Sequence, residues 1–178
     1  MKLVCWTRYC WDLTKLAPVY PAIDPQYRIR RAKAEDEKAV RSVVFSAFTL
    51  DSNWNFLLHE LRAQLESALD SIFGEKQAKE KSDPLCLVIT HGSRIIGACP
   101  LAASVDAENH LLTGPCVLSE YHNRGLATAL LAQSLSLLRE MRLTVAFGLT
   151  KQNSAAAQFV YPKFGSVSEP FQRHLSAI

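Results

Sequence analysis

The chain has 178 residues, a length that favours one domain with a core large enough to stand without disulfide or metal staples. Apolar residues make up 48% and charged residues 21%, the balance of a soluble globular protein. The net charge is +3 with basic and acidic residues interspersed, which argues against a dedicated nucleic-acid binder, and no apolar run is long enough to span a bilayer.

Residues 1–26 are rich in aromatics and punctuated by Pro18, Pro21 and Pro25. They read as an irregular N-terminal arm, laid on its own domain or on a second subunit of a homodimer. Arg8 and Asp12 interrupt any signal-peptide core, so a cytoplasmic protein is expected. The domain proper is expected over residues 27–178. "YRIRRA" (27–32) predicts a strand, and Val40, Val43, Val44, Ala47 and Phe48 then recur at helical spacing. Acidic Glu35, Asp36 and Glu37 fall in the first turn of that helix, where its dipole favours them. "TLDSNWN" breaks the pattern, and Asp51, Ser52 or Asn53 is placed to cap a second helix over residues 54–79. Gly74 ends or weakens its last turns.

"LCLVITHGSRIIGACPLAAS" predicts a β-hairpin turning at Gly92. Residues 109–118 predict a third strand, with a bulge or free edge at Gly114-Pro115, because proline cannot donate to a ladder. Leu126, Leu130, Leu131, Leu135 and Leu138 place one stripe on a helix to about Arg142. A strand (143–150), a short helix stopped by Pro162 and Gly165, and a last strand from Ser166 follow. The fold class is therefore α/β: one mixed sheet of about six to seven strands with about four flanking helices. Its N-terminal half is antiparallel, and the crossover through Gly125 makes residues 111–118 and 143–149 a parallel pair.

Five cysteines without a C-x-x-C pair exclude a disulfide framework or a zinc knuckle. Cys86, Cys99 and Cys116 lie in apolar strand-like runs and read as buried thiols; Cys5 and Cys10 read as reduced.

The chemistry concentrates at "YHNRGLATALL" (121–131), where a polar bend enters a helix. A helix N-terminus presents unpaired N–H groups and partial positive charge, which suits phosphate. Gly125 lets a phosphate approach and admits positive φ, Ala127 keeps the first turn thin, and Arg124 adds a cation. No G-x-x-x-x-G-K-[ST] and no G-x-G-x-x-G is present, so a P-loop and a dinucleotide fingerprint are excluded. A nucleotide-binding α/β domain is thereby disfavoured.

"VLSEYHNRGLATALL" resembles the acyl-CoA-binding segment of the GCN5-related N-acetyltransferases, the GNAT superfamily. Gly125 and Ala127 match its fixed positions, and Arg124 a frequent basic one. His122 stands where Gln or Arg is usual, and Ser119 where Pro is common. "YRIRRAKAEDEKAV", "CLVITHGSRIIGACPLA" and "NSAAAQFVYPKFGS" resemble the family's first strand, central hairpin and C-terminal segment, so the resemblance covers roughly residues 27–167. Asn153 to Gly165 is one residue longer than the common spacing, which puts Ser154 at the usual Asn position. Tyr161 then falls on the family tyrosine, with Pro162 and Ser166 as departures.

The resemblance implies a small-molecule or peptide amine acceptor and acetyl-CoA as co-substrate. The pantetheine arm would lie along Cys116, Val117 and Leu118, and the N–H of Val117 or Leu118 would polarise the thioester carbonyl. The pyrophosphate would meet His122, Asn123, Arg124, Gly125, Leu126, Ala127 and Thr128, with Asn153 and Ser154 alongside. Tyr161 would protonate the leaving thiolate, and Glu120, before Glu108 and His110, would serve as base. Asp51, Asn53 and Trp54 would line the acceptor pocket, although N-capping explains Asp51 as well. Neither metal, nucleic acid nor membrane is implied. The other function these residues admit is a non-catalytic acyl-CoA-binding sensor.

Overall fold

A computed structural model describes residues 5–17, 21–55, 58–74 and 83–172. Among the described residues seven strands form two sheets, and every strand pairing is antiparallel.

The first sheet is a meander. Strand β2 (Tyr27–Arg31) pairs with β3 (Cys86–His91), β3 with β4 (Arg94–Pro100), and β4 with the two-residue β5 (Cys116–Val117). The hairpin turns at Gly92, whose φ of 59° is the left-handed region that Gly adopts without strain. Val88, Ile89, Ile96 and Ala98 are fully buried, so the centre of the sheet is covered on both faces. Helices α1 (Glu37–Thr49) and α3 (Leu126–Glu140) pack on β4. The bidentate pair of Arg30 on Asp36, at 2.6 and 3.0 Å, ties β2 to the entry of α1. Asp51 caps a 3-10 turn at Ser52–Trp54 where the start of the second helix was expected, and helix α2 is described over Leu58–Phe73. The rest of its expected extent, 75–79, lies outside the described residues.

The second sheet departs from the sequence reading. Residues Trp6–Asp12, expected in an irregular arm, form strand β1 in the middle of the order β6-β1-β7, where β6 is Val145–Lys151 and β7 is Val167–Phe171. Strand-forming Trp, Thr and Tyr residues fill it, and Trp6, Tyr9 and Trp11 are buried. Arg8 reaches across to its register partner Glu169 at 2.7 Å and lies over the Phe147 ring. The segment used to argue for a dimer contact is thus consumed inside its own domain.

The single mixed sheet and its parallel pair are also corrected. β5 and β6 lie in different sheets. The sheets meet at residues 109–111, where side chains replace the ladder. His110 N–H donates to Phe147 O at 2.8 Å, His110 Nδ1 accepts from Phe147 N at 2.9 Å, and Asn109 Oδ1 accepts from Leu149 N at 3.2 Å. With those β6 N–H groups taken by side chains, no parallel ladder starts. The chain then bends at Gly114 (φ 69°) and Pro115 towards β4, and a gap opens between β5 and the end of β6. No helix among the described residues is long and apolar enough to cross a membrane.

Candidate active site

One wall of the gap is the start of α3. A 3-10 turn at Ser119–Tyr121 leads through His122 to Asn123 (φ 59°) and Gly125 (φ 73°). These two left-handed residues turn the chain tightly into the helix and both line the groove, a bend of the kind that forms anion nests. Gly125 is the N-cap and no side chain caps the helix. The first intrahelical bond runs from Ala129 N to Gly125 O, so the N–H groups before it keep no helical partner. They border a groove of 420 Å³ whose opposite wall is Ala155, Ala156, Phe159, Val160 and Lys163. Lys163 Nζ donates to Thr128 Oγ1 at 3.2 Å across that groove. Arg124 is turned out of it: its guanidinium donates to Tyr27 Oη at 2.7 Å and to Glu120 O, and lies over the Tyr121 ring. Lys163, not Arg124, is the cation beside the nest. The signal that could have found it is its place in "FVYPK", four residues after Phe159 on the facing wall.

A chamber of 410 Å³ continues the groove and shares Pro115, Val117, His122, Ala155 and Ala156 with it. Cys116 lies in its wall, with burial pushing its thiol up to about 12, so it stays protonated and is no nucleophile. Leu118 N–H is spent on Ile96 O at 2.9 Å. Neighbouring residues of an antiparallel ladder turn their peptide groups to opposite sides, so Val117 N–H and C=O face the gap. The Nε2–H of His122, donating to Val117 O at 2.9 Å, marks that side. Of the two backbone donors expected for a thioester carbonyl, only Val117 is available.

On the far wall, Thr150 and Ser154 share a hydroxyl hydrogen bond of 2.8 Å. Ser154 Oγ also accepts from Ala157 N, capping the π-helical turn Ala156–Val160. Asn153 lines neither cavity, and its carbonyl accepts from Gln158. Tyr161 follows the π turn. It is 1% exposed, with edge-on contacts to Tyr9 and Trp11 at 5.3 and 5.4 Å. Its hydroxyl lies against Gly114, where an added Cβ would stand only 2.4 Å away. Burial pushes this phenol well above its ordinary value, so it is protonated throughout the neutral range. Tyr161 lines neither cavity directly; it reaches the strand break next to Pro115, which lines both.

The expected bases are not in the chamber. Glu120 is exposed and ion-paired with Arg94 at 2.9 Å. Its own backbone N–H, then Arg94, holds its carboxyl below the usual range, which weakens it as a base. Glu108 lines neither cavity, and His110 is the clasp between the sheets, with its Nε2–H on Ser104 O. Asp51 and Trp54 line the chamber, whereas Asn53 stiffens the loop, donating to Asp51 and accepting Lys151 Nζ at its carbonyl. Among the described residues, no group of three or more His, Cys, Asp or Glu side chains could hold a metal.

The fold has relatives. A GCN5-related N-acetyltransferase from Sphaerobacter thermophilus superposes with a TM-score of 0.65 at 16% identity, covering 95% of this chain and 50% of that one. A GNAT-family acetyltransferase from Colwellia psychrerythraea gives 0.59 at 19% identity, over 94% and 54%. One from Kribbella flavida gives 0.58 at 13%, over 93% and 55%. The chain thus spans about half the length of these structures. Among curated proteins, no relative matches. The model of the Acetyltransferase (GNAT) family matches residues 50–165, from the chamber loop through the nest to the end of the Tyr161 segment, and the chain belongs to that family.

Proposed function

We propose that the protein transfers an acetyl group from acetyl-CoA to a primary amine, by direct attack within a ternary complex. The observation that carries this reading is the continuity of two cavities at Val117, one running to an uncapped helix N-terminus and the other to the chamber beside Asp51 and Trp54. The residues fit the donor: the nest at Asn123–Gly125 and Lys163 suit a pyrophosphate, and the edge of β5 away from β4 suits a pantetheine amide. Acetyl-CoA supplies an acyl thioester. Val117 N–H stands ready to donate to the thioester oxygen as negative charge builds there. His122, now on Val117 O, gives way to the arm or orients it. Tyr161, protonated and at the strand break, is the acid for the departing sulfur, with Gly114 leaving room for its hydroxyl.

Tyr161→Phe keeps the ring packing and is expected to lower kcat about 100-fold or more, with acetyl-CoA affinity preserved. Calorimetry with CoA and acetyl-CoA, paired with thiol release across an amine panel, checks both halves. No binding at millimolar ligand sinks the reading. A non-catalytic acyl-CoA sensor is the second reading, favoured by the engagement of Glu120 with Arg94 and of His110 between the sheets, which leaves no expected base facing the chamber. Donor binding without thiol release from any amine would select it.

A further inference from the structure

The chamber does not end at Trp54. A further cavity of 550 Å³ adjoins it and shares Phe48, Trp54, Thr113 and Thr150 with it. It has no wall in common with the groove at the nest, so the three lie in series: groove, chamber, inner cavity. The inner cavity is bounded by α2 and the end of β6, with Leu61, Leu65, Ala68, Leu112 and Leu149 in its walls. Its size is that of a small-molecule site.

Its charge is the informative property. Among the described residues lining the inner cavity there is no Asp, Glu, Lys, Arg or His. Of its two amides, Asn109 is already spent on Leu149 N and Leu112 O, and Gln64 stands with Ser67 and Ser71 on the α2 side of the cavity. The chamber in front of it has one carboxylate among its described residues, Asp51. Both hydrogen bonds to Asp51 fall on Oδ1, from Asn53 N and Nδ2, each at 2.9 Å, and Oδ2 takes none from a described residue. One anionic oxygen in the chamber, and none in the aromatic-lipped cavity beyond it, suits a molecule with one cation and an uncharged remainder. A second ammonium carried there would meet no carboxylate among the described lining residues.

We infer that the inner cavity holds the body of the acceptor, and that the acceptor is a monoamine on an uncharged aromatic or aliphatic body, its ammonium held by Asp51 Oδ2. This rests on the acetyl-transfer reading above. The ammonium first gives one proton to solvent. Its nitrogen then forms a C–N bond to the acetyl carbon as the C–S bond breaks. The sulfur leaves with the electron pair and takes a proton, and the nitrogen loses its second proton to solvent. The products are the N-acetyl amide, CoA thiol and one released proton. Polyamines, multiply charged sugars and amino acids are poor acceptors on this inference.

The test compares hexylamine with hexamethylenediamine, which differ at the far end by one ammonium, and phenethylamine with phenylalanine. The uncharged-body member of each pair is expected to lead in kcat/KM by about tenfold or more. Ala68→Asp places a carboxylate in the inner wall. It is expected to raise KM for hexylamine and narrow or reverse the preference over the diamine, with acetyl-CoA KM unchanged. Ala68→Leu, which keeps the wall apolar and fills it, is expected to weaken phenethylamine more than hexylamine. Turnover that prefers the diamine, or a preference untouched by either variant, overturns the inference while leaving acetyl transfer standing. So does a shift of acyl-CoA chain-length preference in Ala68→Leu, which would make the cavity an acyl pocket. If no amine is turned over, the transfer reading fails. Calorimetric titration of phenethylamine into wild type and Asp51→Asn then decides the cavity by itself: binding weakened in Asp51→Asn supports it, and no binding overturns it.

Discussion

The two sheets meet the reaction gap in opposite ways. The four-stranded sheet pairs strands that follow one another along the chain, and it offers the gap a peptide group, Val117 N–H. The three-stranded sheet holds β1 between two strands from the far part of the sequence, and it offers side chains: Thr150 directly, Ser154 and Lys163 through the segment that follows β6, and Tyr161 at one remove, behind Gly114. β1 grips that segment at both ends. Tyr9 Oη donates to Ala157 O at 3.0 Å and Trp11 Nε1 to Lys163 O at 2.9 Å, with Tyr161 between. A peptide donor survives most substitutions at its own position. A hydroxyl held by an aromatic clamp depends on each ring around it.

The largest expected effect follows from that asymmetry. Trp11 is fully buried, and Trp11→Ala is expected to cost about 3–5 kcal/mol in urea unfolding, whereas Val117→Ala costs at most about 2 kcal/mol. Equal losses would break the contrast. Next is Gly114→Ala, whose Cβ would meet the Tyr161 hydroxyl at 2.4 Å on a backbone with φ of 69°. A loss of about 1–3 kcal/mol is expected. Adding Tyr161→Phe relieves the clash but not the backbone, so the double variant is expected to be more stable than the two losses added; strict additivity would mean the contact is not made.

A smaller effect concerns the clasp between the sheets. Burial lowers the pKa of His110 from its ordinary value, so the folded protein holds it neutral while the unfolded chain takes a proton below about pH 6.5. The folded state then binds fewer protons, so stability is full above that pH and falls as pH drops through it, levelling once His110 protonates in the folded state too. His110→Gln is expected to lose part of the urea-midpoint slope below about pH 6.5; an unaltered slope would assign the titration elsewhere. The smallest effect is at Glu120→Gln. It opens an exposed ion pair and is expected to leave kcat within about twofold, since such pairs contribute little. A tenfold loss would bring Glu120 back into the site.

The hairpin, α1 and the α3 junction were legible because their signals are local: β-branched runs about Gly92, apolar residues at helical spacing, and Gly125 before a leucine stripe. β1 was not, because Arg8 and Asp12 blur its alternation, prolines follow it, and both its partners lie beyond residue 144. The parallel pair was expected because a strand–helix–strand crossover normally returns to the same sheet. Here it connects two sheets, since Asn109 and His110 side chains occupy the β6 N–H groups. Within the site, Gly125 was legible from its place before the helix, Val117 and the Asp51 loop from the family resemblance, and all three line or border the two cavities. The sequence reading misjudged Arg124, since positive φ on both sides of that residue swings its side chain out to Tyr27. It missed Lys163, whose relevance exists only across the groove.

The central place of β1 also sets an order of events during synthesis. Residues 6–12 leave the ribosome well before their partners, and both edges of that strand stay unpaired until residues 145–171 have followed. The meander can pair while the chain is still growing, but the second sheet closes through contacts of very long sequence separation, the slow kind. Until it closes, three aromatic rings of β1 have no cover, and the groove lacks the wall that carries Lys163. A partly folded chain with its first sheet complete therefore displays sticky surface and a groove with one wall, and on the proposed function donor binding reports the final docking step rather than the first.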